Sequence, residues 1–80
     1  MDLLFSSRKD EPRDILRIMR LSRRISQLDL SIIAGYHSNS VGSWEKNGTY
    51  SLNALFDFAE ALGYDVQINL IDKTSEENKR

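Results

Sequence analysis

Cysteine is absent from this chain, so no disulfide staple, thiolate metal ligand or cysteine nucleophile belongs to its chemistry. A single histidine, His37, cannot assemble a histidine-rich zinc centre. No apolar run approaches the roughly 18 residues that a helix crossing a bilayer needs, so no membrane partner is expected. The first eight residues, Met1 to Arg8, lack the basic start and long apolar stretch of a secretory signal, and this reading places the chain in the cytoplasm. Nothing in the pattern supplies the pocket, nucleophile or metal that a small enzyme requires; the expectation is a non-enzyme with no cofactor and no metal. Eighty residues lie near the size at which one core is barely sufficient, so a partner subunit is an expected source of stability.

Neither charge sign dominates, with a formal net charge of −1. The distribution is uneven: residues 1–40 carry seven Lys/Arg against five Asp/Glu, and residues 41–80 carry four against seven. At 100° per residue, Arg13, Arg17, Arg20 and Arg24 fall within about 60° of one another. They form either a solvated stripe on one helix or a cationic face.

Pro12 suits the first turn of a helix, where its missing N–H costs nothing. Ile15, Leu16, Ile18 and Met19 then set an apolar arc opposite the arginines. Ser26, with Asp29 three residues on, reads as the start of a second helix over residues 27–34. Leu28, Leu30 and Ile33 are its apolar residues, and Gly35 supplies the left-handed residue that stops it. A third helix over residues 38–46 follows, capped by Ser38 or His37. Its Val41 and Trp44, three apart, give it one apolar edge, and Trp44 reads as core rather than as a base-stacking platform. Asn47-Gly48 is a strong hairpin signal, but its flanks do not alternate, so it reads as a helix–loop–helix junction. Leu52, Leu55, Phe56, Ala59 and Leu62 mark a fourth helix between Ser51 and Gly63. Asp57 and Glu60 read as its solvated face.

The period then changes. Val66, Ile68 and Leu70 alternate with Gln67, Asn69 and Ile71, which predicts a half-buried strand over residues 64–71. An unpaired apolar edge is a liability. Either residues 2–6 pair with it, or its twin does across a two-fold axis in a homodimer. Residues 72–80 read as a flexible, charged tail.

A short helix, a sharp turn and a second helix with a polar nose and an anchored back describe the helix-turn-helix. The chain resembles the XRE/Cro helix-turn-helix family, which includes the lambdoid phage repressors, from about Ile15 to Tyr64. The resemblance rests on the spacing of Arg20, Ser26-Gln27, Leu30, Gly35, Val41, Trp44-Glu45 and Ala61-Leu62-Gly63. The strand that follows is similar to that of HipB-type antitoxins, which dimerise there. The implied architecture is mainly α. It has an N-terminal arm (1–12), a four-helix lambda-repressor-like domain (13–63), a C-terminal dimerisation β-strand (64–71) and the tail (72–80).

The resemblance also implies roles. Ser38, Asn39 and Ser43 match base-reading positions on the recognition helix. Gln27 matches a phosphate contact, and Arg20 and Glu45 match an ion pair that ties the first helix to the end of the third. Breaking half of such a pair costs on the order of 3 kcal/mol, because the surviving charge is stranded. Lys46, Asn47 and Thr49 are further phosphate candidates, with Arg17 and Arg13 weaker ones. His37 is either a turn residue or a phosphate contact, and Tyr36 is open between turn packing and a phosphate. Asn39 can bond adenine N6 and N7 together, while serines select weakly. With no Lys or Arg before Lys46 in the third helix, strong guanine readout is not expected, and shape and dimer spacing share the specificity.

The sequence departs from the family pattern in three places. Ser31 stands where alanine is usual, Arg24 where glycine is frequent, and the loop from Glu45 to Leu52 is one residue shorter. The expectation is a regulator, as a repressor, of double-stranded DNA. The alternatives are an antitoxin that also binds a toxin protein, and a pure interaction module.

Overall fold

The computed structural model describes residues 1–74 as four helices: α1 (Pro12–Ser22), α2 (Gln27–Ile33), α3 (Ser40–Asn47) and α4 (Leu52–Ala61). Three of the four starts follow the local chemistry expected of them. Pro12 opens α1, the Ser26 hydroxyl accepts from the Asp29 amide at 3.0 Å, and the Ser51 hydroxyl accepts from the Ala54 amide at 3.0 Å.

Three helices also end alike. In each, the amide two residues past the last carbonyl-bonded turn reaches back five residues, and the one before it reaches back three. Tyr36 to Ser31 with Gly35 to Ile32 closes α2, and Tyr64 to Ala59 with Gly63 to Glu60 closes α4. The pivotal residue must be left-handed, and Gly35 (φ 84°) and Gly63 (φ 79°) meet that need. At the end of α1 the same pair of bonds runs from Ile25 to Arg20 and from Arg24 to Leu21. There the pivot is Arg24, at φ 56°, the one non-glycine residue with positive φ among the described residues. The arginine therefore sits in a glycine seat.

The core lies where the four helices converge. Leu16 and Met19 of α1, Leu30 of α2, Val41 of α3, and Ala54, Phe58, Ala59 and Leu62 are buried. Phe58, fully buried, has the rings of Tyr36, Trp44 and Tyr50 at centroid distances of 5.1, 5.5 and 6.5 Å. Trp44 is thus packed against the core, as its spacing implied. On α2 only Leu30 and Ser31 are buried. Leu28 and Ile33, expected to share the apolar face, are about half exposed.

The third helix begins later than expected. Ser38 and Asn39 form a turn, with Ser40 N–H bonded to His37 O, and the helix starts at Ser40 with Asn39 at the N-cap position. Neither Ser38 nor His37 caps it. Gly48 ends it at φ 88°, so Asn47-Gly48 closes a helix rather than a hairpin.

Among the described residues there is no strand. Residues 65–72 carry no regular secondary structure, and Ile68, Leu70 and Ile71 are exposed. The alternating pattern of Val66, Ile68 and Leu70 is present, but residues 2–6 do not pair with it. The root of this segment is fixed: the Tyr64 hydroxyl is 2.7 Å from the Ser22 hydroxyl, and the Arg23 guanidinium lies 4.0 Å from the centre of the Tyr64 ring. Residues 73–74 take helical backbone, with the Thr74 amide donating to Asp72 Oδ1 at 2.8 Å; residues 75–80 of the expected tail lie outside the described residues. No helix among the described residues is long and apolar enough to cross a membrane.

Candidate nucleic-acid interface

The back of α3 is held by three contacts from other helices. Glu45 accepts from Arg20 Nε at 2.7 Å and from Arg20 Nη2 at 3.0 Å, a two-pronged ion pair that is nearly enclosed. The remaining guanidinium nitrogen of Arg20 donates to the Ile25 carbonyl at 2.9 Å, so each of the three nitrogens has a partner. Lower on the helix, Arg13 Nη1 donates to the Lys46 carbonyl at 3.1 Å. A cation at a helix C-terminus also meets the negative end of the helix dipole. The Arg13 guanidinium lies over Gly48, where an added Cβ would stand 2.7 Å from Nη2. Gly48 is required by its backbone angle, and a side chain there would also push the Arg13 guanidinium aside.

The third contact is one that sequence reasoning missed. Ser31 is fully buried; its hydroxyl donates to the Gln27 carbonyl at 2.9 Å and accepts from the Val41 amide at 3.0 Å. Val41 is the second residue of α3, whose amide is ordinarily satisfied by the N-cap side chain. Here α2 supplies the cap from outside, and Asn39 makes no cap bond of its own. The Asn39 amide is left free to meet a ligand. The only sequence signal was Ser31 itself, a hydroxyl where alanine would pack.

The front of α3 borders a shallow concavity. Ser38, Asn39 and Ser43 line it together with Gln27, Lys46 and Asn47, so six of the expected contact residues share one surface. Leu28 and Gly42 also line it, and neither was anticipated. The signal for Leu28 was legible: at 100° per residue it lies about 160° from the buried Leu30. His37, Thr49 and Arg17 are exposed but do not line the concavity.

The chemistry of this surface is donor-rich. It presents three carboxamides, two hydroxyls and one ammonium, and no carboxylate. Asn47 Nδ2 donates to Ser43 Oγ at 3.1 Å, which leaves Ser43 its own O–H to give. Gln27 Nε2 donates to Glu45 Oε1 at 3.1 Å, so this residue belongs to the brace and to the concavity at once. The four-arginine stripe divides. Arg20 and Arg13 dock onto α3, while Arg17 and Arg24 remain exposed.

Behind the turn that precedes α3, the Tyr36 hydroxyl donates to Asp57 Oδ2 at 2.5 Å. That hydrogen bond, with burial and the carboxylate's charge, raises the Tyr36 pKa. Tyr36 is a turn-packing residue, and Asp57 anchors it rather than facing only water. Comparison with family models, with characterised proteins and with solved structures returns no significant match to this chain.

Proposed function

We propose that this chain is a sequence-specific DNA-binding transcriptional repressor that grips a two-fold operator as a homodimer, with α3 and the preceding turn in the major groove. One observation carries the reading: a helix braced from behind by a buried ion pair and a borrowed cap turns an uncharged amide and hydroxyls, flanked by Lys46, toward an open concavity. A braced helix with a free polar face suits base-edge recognition. The resemblance to the XRE/Cro family points the same way.

In this reading Asn39 bonds adenine, and Ser38 and Ser43 add weakly selective contacts. Lys46, Asn47, Thr49 and His37 hold phosphates on one side; Gln27 and Arg17 hold them on the other, Gln27 turning from Glu45 to do so. The segment over residues 64–71 becomes a strand by pairing with its copy, which covers Val66, Ile68 and Leu70. Its fixed root at Tyr64 sets the distance between the two recognition helices. The protein acts in the cytoplasm and binds without catalysing. The exposed Ile68, Leu70 and Ile71 equally favour a second reading, an antitoxin whose C-terminal segment also holds a toxin protein.

Footprinting on the DNA upstream of the gene tests the first reading. A salt-sensitive, two-fold footprint is expected. The double substitution Asn39→Ala with Ser43→Ala should abolish its selectivity while leaving thermal melting unchanged. Ile68→Asp should give monomers with sharply weaker binding. Absence of any salt-sensitive DNA binding refutes the proposal, and a toxin that co-purifies with the chain adds the second role.

A further inference from the structure

Every side chain lining the α3 concavity is polar except Leu28, which stands half exposed on the first turn of α2. Gly42, which contributes no side chain, also lines the concavity. The Gln27 carboxamide lies against it: an added Cβ there would stand 3.1 Å from Gln27 Oε1. The surface therefore joins one apolar side chain and the free carboxamide of Asn39. In the major groove, one chemical feature is apolar, the C5-methyl of thymine, and it lies on the same edge as the adenine N6 and N7 atoms that a carboxamide bonds.

We infer that Leu28 is a specificity-determining residue that seats a thymine methyl beside the adenine bonded by Asn39. The inference rests on the DNA-binding reading and narrows it: the operator half-site carries an A·T step whose thymine is recognised through its methyl group. Leu28 is the position where an apolar contact adds selectivity that Ser38 and Ser43 lack. Burying one methyl against a leucine is worth about fourfold in affinity.

The test uses the full chain and a duplex selected from random sequence by repeated binding. Each thymine of that duplex is replaced in turn by deoxyuracil, which removes only the methyl. One thymine per half-site should weaken wild-type binding about fourfold when replaced. Leu28→Ala should bind the selected duplex about fourfold more weakly and be indifferent to that replacement. Leu28→Met, still apolar, should retain the penalty, which separates loss of contact from loss of fold. If wild type tolerates deoxyuracil at every position, or if Leu28→Ala keeps the full penalty, the inference is wrong although DNA binding stands. It is equally wrong if Leu28→Ala disturbs only dimerisation. If no duplex is enriched at all, the DNA-binding reading fails and the inference with it.

Discussion

Ser31→Ala isolates the borrowed cap. Alanine fits the same volume, so the change removes one oxygen and leaves the packing around it. That oxygen is fully buried and accepts the Val41 amide at 3.0 Å, while its proton goes to the Gln27 carbonyl at 2.9 Å. The Gln27 carbonyl is an α2 helix carbonyl that retains its backbone partner; the Val41 amide has no substitute. An orphaned buried donor costs about 1–3 kcal/mol, in line with the roughly 0.5–2 kcal/mol lost when an N-cap is removed. Alanine returns about 0.5 kcal/mol of helix propensity within α2. The net loss should be about 1.5 kcal/mol, which in a domain of this size lowers Tm by roughly 6–12 °C. Thermal and urea unfolding followed by circular dichroism measure it. Hydrogen exchange should place the greatest loss of protection at the Val41 amide. An unchanged or raised Tm would refute the reasoning, because α3 would then hold its first turn without help from α2.

Two further stability predictions follow from the backbone and from Tyr50. Arg24→Gly should stabilise the domain by about 0.5–1 kcal/mol: relief of a left-handed L-residue is worth about 1–2 kcal/mol, less the roughly 0.5–1 kcal/mol that glycine's freedom adds to the unfolded chain. Gly35→Ala, at φ 84° in the matching seat, should shift Tm the other way, and equal signs for the two would refute the assignment. The Tyr50 hydroxyl, which donates to the Pro12 carbonyl at 2.6 Å, is pushed up to about 12 by burial and then by the nearby Glu45 carboxylate, from an ordinary value of 10.0. The folded state holds this proton more tightly than the unfolded state. Its contribution is therefore complete below about pH 10 and fades as pH climbs toward about 12. Tyr50→Phe should flatten the pH dependence of unfolding in that window, read by urea titrations at stepped pH.

The sequence was most legible where a single residue decides a local outcome. Pro12, Ser26, Ser51, Gly35 and Gly63 mark starts and stops by their own backbone chemistry, and the structure places them in those roles. Arg20 and Glu45 could be paired only because the resemblance joined residues 25 apart. α3 starts two residues beyond the expected Ser38 because its cap is not local: the hydroxyl belongs to Ser31, on another helix. Arg24 stands out in the sequence as a departure, but only the repeated closing motif of α1, α2 and α4 reveals what the departure is. The strand pattern is legible in residues 64–71 without any partner within the described chain, since alternation specifies a face and not what covers it. Hydrophobicity alone groups Leu28 with Leu30, although helical geometry turns it to the opposite side.

The brace behind α3 and the surface in front of it are built from almost separate sets of residues. Arg20, Glu45, Ser31 and Arg13 hold the helix, whereas Ser38, Asn39 and Ser43 face outward without supporting it. In the DNA-binding reading, such a partition makes the outward set exchangeable: new side chains at these three positions would alter preference without remodelling the scaffold. Gln27 is the exception, bonded to Glu45 yet lining the same concavity. Inheritance or engineering can retune the other positions freely, but a change at this one alters grip and framework together.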